Sequence, residues 1–234
     1  MKKFFLFAAA VVAAMTINAQ VEYDQELAFG EEDAAAAGEW SNGKTWEGDL
    51  FDLTINDENQ KASIDANQAY FGTAESYKDY AYRLKTGGKS TATNGYNFVI
   101  NSYEKGTLFI MVRTGSNSAT DRTIVVEQNG RELFNQVIQE SDAVSVEMPC
   151  ESCEGGVQNK NVYPIIELPV EDGEITITFP VGAMNFYGFA FNSNGGGQGV
   201  ENIDATVKAV KSFENGQLVI IKNGVRYNAL GAQL

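Results

Sequence analysis

The chain of 234 residues contains no histidine. That absence removes imidazole from any catalytic triad and from the usual zinc-ligand sets. Cysteine is nearly as scarce, with Cys150 and Cys153 alone, so thiolate chemistry rests on one Cys-x-x-Cys pair. In an oxidising compartment that spacing, followed by Gly155-Gly156, reads as a small structural disulfide pinning a loop tip. Positive charge is short as well: 17 Lys and Arg against 31 Asp and Glu leave a net charge of -14. Such a surface repels nucleic-acid phosphate and anionic lipid. Neutral polymers, glycans among them, and divalent cations are the partners it does not repel. No apolar run reaches the ~20 residues of a membrane span, so membrane insertion is not expected.

Both ends of the chain read as addresses. Lys2 and Lys3 precede an apolar run from Phe4 to Met15, and Ile17-Asn18-Ala19 ends on a small residue before Gln20. This is the layout of a secretory signal peptide over residues 1–19. Its removal takes both lysines away, and no cysteine at the cleavage edge offers a lipid anchor. The expected location is outside the cytoplasm: extracellular, on the outer cell surface, or in the periplasm.

At the other end, Gln217 to Lys222 forms a strand pattern, Asn223-Gly224 a tight-turn signal and Val225 to Asn228 a return strand. The run Glu214, Asn215, Gly216, Leu218, Ile220, Asn223, Gly224, Tyr227, Asn228, Leu230 and Gly231 resembles the sorting tails of type IX secretion cargo and their shortened relatives on secreted proteins of gut and oral Gram-negative anaerobes. The resemblance implies recognition by export machinery. It departs at Leu234, where the basic residues often seen in such tails are missing.

Between these ends, residues 20–39 are acidic and then alanine-rich, and Glu31 to Ala37 suits one or two helical turns as well as it suits a flexible lead-in. Residues 40–194 alternate apolar and polar side chains in short runs punctuated by Gly, Asn and Asp. Ile175, Ile177 and Phe179 share one face while Thr176 and Thr178 point the other way. About nine or ten such runs predict an all-β, antiparallel β-sandwich of jelly-roll type. Residues 195–199 read as a glycine-rich linker and residues 200–234 as a small terminal hairpin module.

Within the sandwich, Gly87 and Gly88, Phe98, Arg113, Asp121 with Arg122, and Phe186 with Tyr187 follow a pattern similar to the accessory domains of secreted pectate lyases and other polysaccharide-active enzymes. The resemblance implies carbohydrate binding, or support of an enzyme module, without catalysis. A sugar site needs flat aromatic faces and a few fixed polar partners. Trp40 and Trp46, bracketing a loop-like stretch, are the stacking candidates, with Tyr96 as further aromatic surface. Arg113 and Arg122 flank a hydroxyl-rich loop, where their guanidinium forks either grip a uronate carboxylate or pair with Asp121, Glu127 or Glu132.

Hydrolysis by two carboxylates is the practical enzymatic route left to this composition, and no acid pair is singled out. The chain therefore reads as a non-enzyme. No cofactor is implied beyond a structural calcium ion on Asp57, Glu58 and Asn59. The expectation is a secreted carbohydrate-binding-like module, and its alternative a structural or protein-binding module of the envelope or an adhesive structure, without a sugar site.

Overall fold

Side chains that alternate along the sequence settle on opposite faces of strands, because successive Cβ atoms point to opposite sides of a pleated sheet. A computed structural model describes residues 22–35, 43–90, 95–150, 152–153, 155–193, 210–214, 217–222 and 225–228. The expected signal segment, Trp40, the expected 195–199 linker and the two Asn-Gly pairs of the tail lie outside the described residues.

Strand β1 (Gln25–Ala28) and the short helix α1 (Glu31–Ala35) come first, with Glu31, Glu32 and Asp33 in the helix's first turn. Next are β2 (Lys44–Trp46), β3 (Phe51–Asn56), β4 (Ser63–Gly72), β5 (Tyr77–Lys85), β6 (Asn97–Ser102) and β7 (Gly106–Thr114). β8 (Thr123–Gln128) and β9 (Arg131–Val137) form a hairpin across Asn129-Gly130, where both residues have positive φ, 53° and 72°. A 3-10 turn (Glu140–Asp142) leads to β10 (Val144–Pro149), β11 (Val157–Tyr163), β12 (Ile166–Val170), β13 (Gly173–Thr178) and β14 (Met184–Ser193). The tail supplies β15 (Val210–Glu214), β16 (Gln217–Lys222) and β17 (Val225–Asn228).

The chain divides into two compact units, Met1–Gly195 and Gly196–Leu234. In the second, β15, β16 and β17 form one antiparallel sheet in that order. In the first, one sheet runs β2-β3-β6-β13-β8-β9 and the other β10-β11-β4-β5-β14-β7-β12, with β1 also paired to β14. Leu53, Ile55, Phe98, Ile100, Ile124, Val126, Ile175 and Ile177 of the smaller sheet share a core with Leu84, Leu108, Ile110, Val112, Phe186, Phe189 and Phe191 of the larger. The architecture is all-β with two large sheets, as a sandwich requires. Its first unit holds more strands than the alternation predicted, since β1, β2 and β4 join the set and Pro164 breaks the run Val162 to Leu168 into β11 and β12.

That break reveals how the larger sheet closes. β11 and β12 lie five strand steps apart in the sheet order, which would be about 24 Å on a flat sheet at ~4.8 Å per step. Yet three residue steps from Tyr163 to Ile166 join them, and these reach about 10 Å at full extension. The sheet therefore curls over its own outer face. β5 pairs with β14 through Leu84 and Lys85, and β1 takes the same edge of β14 at Gly188 to Phe191, which lets β4 and β5 peel away. A side chain at position 188 would strike the Leu27 carbonyl oxygen, so glycine permits this close approach. Inside the roll sits a second core of Ala69, Phe71, Tyr80, Met111, Tyr163, Tyr187 and Ala190. Tyr80 and Tyr82, two apart on β5, consequently part company, with Tyr80 in the roll and Tyr82 packed against the sandwich core.

Cys150 and Cys153 are joined as a disulfide, with Cα atoms 5.4 Å apart, at the turn between β10 and β11. The bridge closes a very short loop, for which chain entropy gives at most about 2 kcal/mol. Reduction with dithiothreitol is accordingly expected to lower the thermal midpoint by only a few degrees, and a melt with and without reductant checks this.

Candidate functional site

Two β-bulges shape one mouth of the rolled sheet. β4 is bulged between Ala66 and Ala69, and β14 between Phe186 and Gly188, so Asn67, Gln68 and Tyr187 leave the regular ladder. The Tyr187 hydroxyl donates to Asn67 Oδ1 at 2.6 Å and ties one bulge to the other. Burial pushes the Tyr187 phenol up, against the opposing pull of the Arg113 and Arg83 guanidinium groups. Arg83 pairs with Asp65 at 2.8 Å and Lys85 with its other oxygen at 2.8 Å. Desolvation raises the Asp65 carboxyl, but these two cations outweigh it and hold the group below its ordinary range. Bulges re-aim side chains next to binding and catalytic sites, and here the bulge on β4 brings Gln68 to the edge of a cavity.

β11 pairs in parallel with β4 through Val162 and Tyr163 only, and above that contact the two strands splay. The opening is a cavity of about 360 Å³ lined by Gln68, Tyr70, Arg113, Glu140, Asn159, Lys160, Asn161 and Tyr163. That volume lies within the ~300–1,000 Å³ of small-ligand pockets, and barrel mouths are a recurrent place for them. Arg113 comes from β7, where alternation points Leu108, Ile110 and Val112 into the sandwich and Phe109, Met111 and Arg113 into the roll. Its guanidinium lies 4.7 Å from the centre of the Tyr163 ring. Nη2 donates to Glu140 Oε2 at 3.1 Å, Oε1 at 3.3 Å and Asn117 Oδ1 at 3.2 Å. The Tyr163 hydroxyl donates to Glu140 Oε1 as well. Glu140 is placed by the 3-10 turn, whose start is fixed by the Gln139 N–H donating to Asp142 Oδ2 at 2.8 Å.

Burial first, and then the hydrogen bond to Glu140, push the Tyr163 phenol up to about 12. Tyr23, at the opposite mouth with Phe109 and Ile165, is also pushed up to about 12, chiefly by burial. A pKa raised on folding contributes stability that is complete below the ordinary value near 10 and is lost as pH climbs to the folded value. Stability should thus hold to about pH 10 and fall between about pH 10 and 12. Denaturant melts across that window, repeated on Tyr163→Phe, should show a shallower fall for the variant.

The other residues singled out by sequence lie elsewhere. Arg122 donates to the Val181 carbonyl at 3.2 Å and lies against Gly182, so it serves a turn while Arg113 serves the mouth. Tyr96 is 1 % exposed, packs on Phe98 and Phe179, and donates to the Thr86 carbonyl at 2.5 Å. A ring buried there has no face for a sugar, which corrects the expectation of a surface platform. Trp46 is half-buried on edge strand β2, 5.6 Å from the Phe51 ring. Asp57 is buried, and its Oδ2 accepts the Ala62 N–H at 2.6 Å, locking the turn from β3 to β4. Glu58 points its carboxyl at Gly95. Among the described residues no group of three or more Asp, Glu or Cys is arranged to hold a metal ion. Asp57 thus locks this turn, with Glu58 and Asn59 beside it in the same turn.

Glu140, Tyr163, Asn159, Asn161, Gln68 and Tyr70 were not singled out by the sequence. The available signal was the continuous run Met184 to Phe191, buried on both faces and so demanding a second layer outside the sheet. The mouth can accept hydroxyls on Glu140 and three amides, donate to oxyanions from Arg113, and offer ring surface from the half-buried Tyr70, the Tyr163 ring being buried beneath Arg113. Glu140 is the only carboxylate among its lining residues, and it is already engaged.

No family model and no curated protein matches the chain. Among solved structures, the CBM32-1 module from a family 31 glycoside hydrolase from Clostridium perfringens aligns over 58% of this chain and 96% of its own, at 11% identity and a TM-score of 0.25. A likeness that weak carries neither the fold nor the ligand of that module to this chain. No helix among the described residues is long and apolar enough to cross a membrane.

Proposed function

We propose that the chain is an exported, non-catalytic β-sandwich of jelly-roll type that binds carbohydrate in the polar mouth of its rolled sheet, with its terminal module addressing export machinery. The supporting observation is the cavity itself: three amides, an arginine over a tyrosine ring and a lone carboxylate converge on one opening. That inventory suits hydroxyl recognition, in which a few fixed polar groups set orientation against aromatic surface. With a single acid at the mouth, the paired carboxylates of glycoside hydrolysis are missing from its lining.

A glycan-array screen of the exported chain tests this reading, repeated on Gln68→Ala/Asn161→Ala and on Trp46→Ala, each checked for folding by circular dichroism. Binding that survives Trp46→Ala and vanishes in the double variant is the expected result. Silence across neutral and acidic glycans would overturn the reading. It would favour the structural or protein-binding alternative, which draws on the apolar opening of Phe134, Val137, Ile138, Ile165 and Ile166 between edge strands β9 and β12.

A further inference from the structure

Resting on that carbohydrate reading, we infer that the mouth selects a carboxylated sugar, a uronate unit, over its neutral counterpart. In a chain with nearly twice as many acids as bases, Arg113 and Lys160 face the single carboxylate of Glu140 among the lining residues. Outside the lining, Asp79 accepts from Gln68 at 3.2 Å and Glu147 stands opposite Asn159 in the β10–β11 register.

The Arg113–Glu140 pair leaves room for a second anion. A saturating carboxylate takes two guanidinium nitrogens in a fork, at about 2.7–2.9 Å. Glu140 instead meets Nη2 alone, at 3.1 and 3.3 Å, and divides itself with the Tyr163 hydroxyl. Lys160 has no carboxylate within ion-pair distance among the described residues. A neutral sugar entering this opening would leave Lys160 without an anion to replace the hydration it loses, Arg113 being already paired with Glu140, and this weakens binding. A planar carboxylate matches the guanidinium edge and neutralises Lys160 at once, while Gln68, Asn159 and Asn161 remain for ring hydroxyls.

Calorimetric titration of the exported chain with tetragalacturonate and with the same oligosaccharide after carboxyl reduction tests the inference. The acidic form should bind at least ~10-fold tighter at low salt, the margin of a charge-assisted contact. Lys160→Gln should shrink that ratio, and Glu140→Gln, by removing the competing anion, should raise affinity for the acidic form. Equal binding of the acidic and reduced forms would overturn the uronate inference while leaving the carbohydrate reading standing. A fall in acidic-sugar affinity in folded Glu140→Gln would also overturn it, since Glu140 would then be a hydroxyl acceptor. Binding of neither oligosaccharide, together with a silent glycan array, would sink both.

Discussion

Phe98→Ala is expected to destabilise the first unit by about 3–5 kcal/mol, the range for emptying a buried phenylalanine site. Phe98 lies on β6 with 0 % exposure, and its ring is 4.9 Å from Phe186, 5.5 Å from Phe179, 6.3 Å from Tyr96 and 6.4 Å from Phe189. Phe98 of the smaller sheet thus meets Phe186 and Phe189 of the larger, with Tyr96 and Phe179 flanking β6 and β13, so truncation opens a void at the contact between the sheets. Collapse around it is limited because Phe186 and Phe189 are themselves stacked 5.6 Å apart on β14. Against a typical total of ~5–15 kcal/mol for a domain, the loss is a large fraction. Urea unfolding followed by tyrosine fluorescence should show a lower midpoint at unchanged slope. Tyr103→Ala, at a ring 50 % exposed, should stay within about 0.5 kcal/mol of the parent.

Arg113→Ala is expected to have the larger effect on function, a drop in glycan affinity of at least ~30-fold, equivalent to about 2 kcal/mol. The guanidinium is the one mouth group that meets a ring, a carboxylate and an amide together. Its removal also leaves the half-buried Glu140 carboxylate with the Tyr163 hydroxyl but no cation, for which about 1–3 kcal/mol of stability is the expected loss. Arg113→Lys separates the two effects. Lysine restores the charge beside Glu140 but not the planar fork or the stacked face, so stability should largely return while affinity stays low. Titration and thermal melts on both variants read the two outcomes independently.

The strands legible in the sequence are those with one dry face and one wet one. β3, β8 and β13 alternate cleanly, as Phe51, Leu53 and Ile55 do on one face. β4 was not legible because its bulge at Asn67 and Gln68 shifts the alternation by one residue midway, and polar residues fill that position. The roll was hidden for a related reason. Whether Tyr80 or Phe109 faces the sandwich or a second core depends on where β5 leaves β14, a matter of tertiary closure that no short window of sequence contains. Arg113 was singled out from its strand-end position, but its partner was not Arg122. Glu140 and Tyr163, 27 and 50 positions further along the chain, meet it only after the sheet curls.

The most direct test of the central claim is a crystal structure of the protein soaked with the best ligand of the glycan array. The account predicts sugar density between β4 and β11, within hydrogen-bond reach of Arg113, Asn161 and Gln68. Density seated on Trp46 or at the opening between β9 and β12, with the mouth empty, would contradict it.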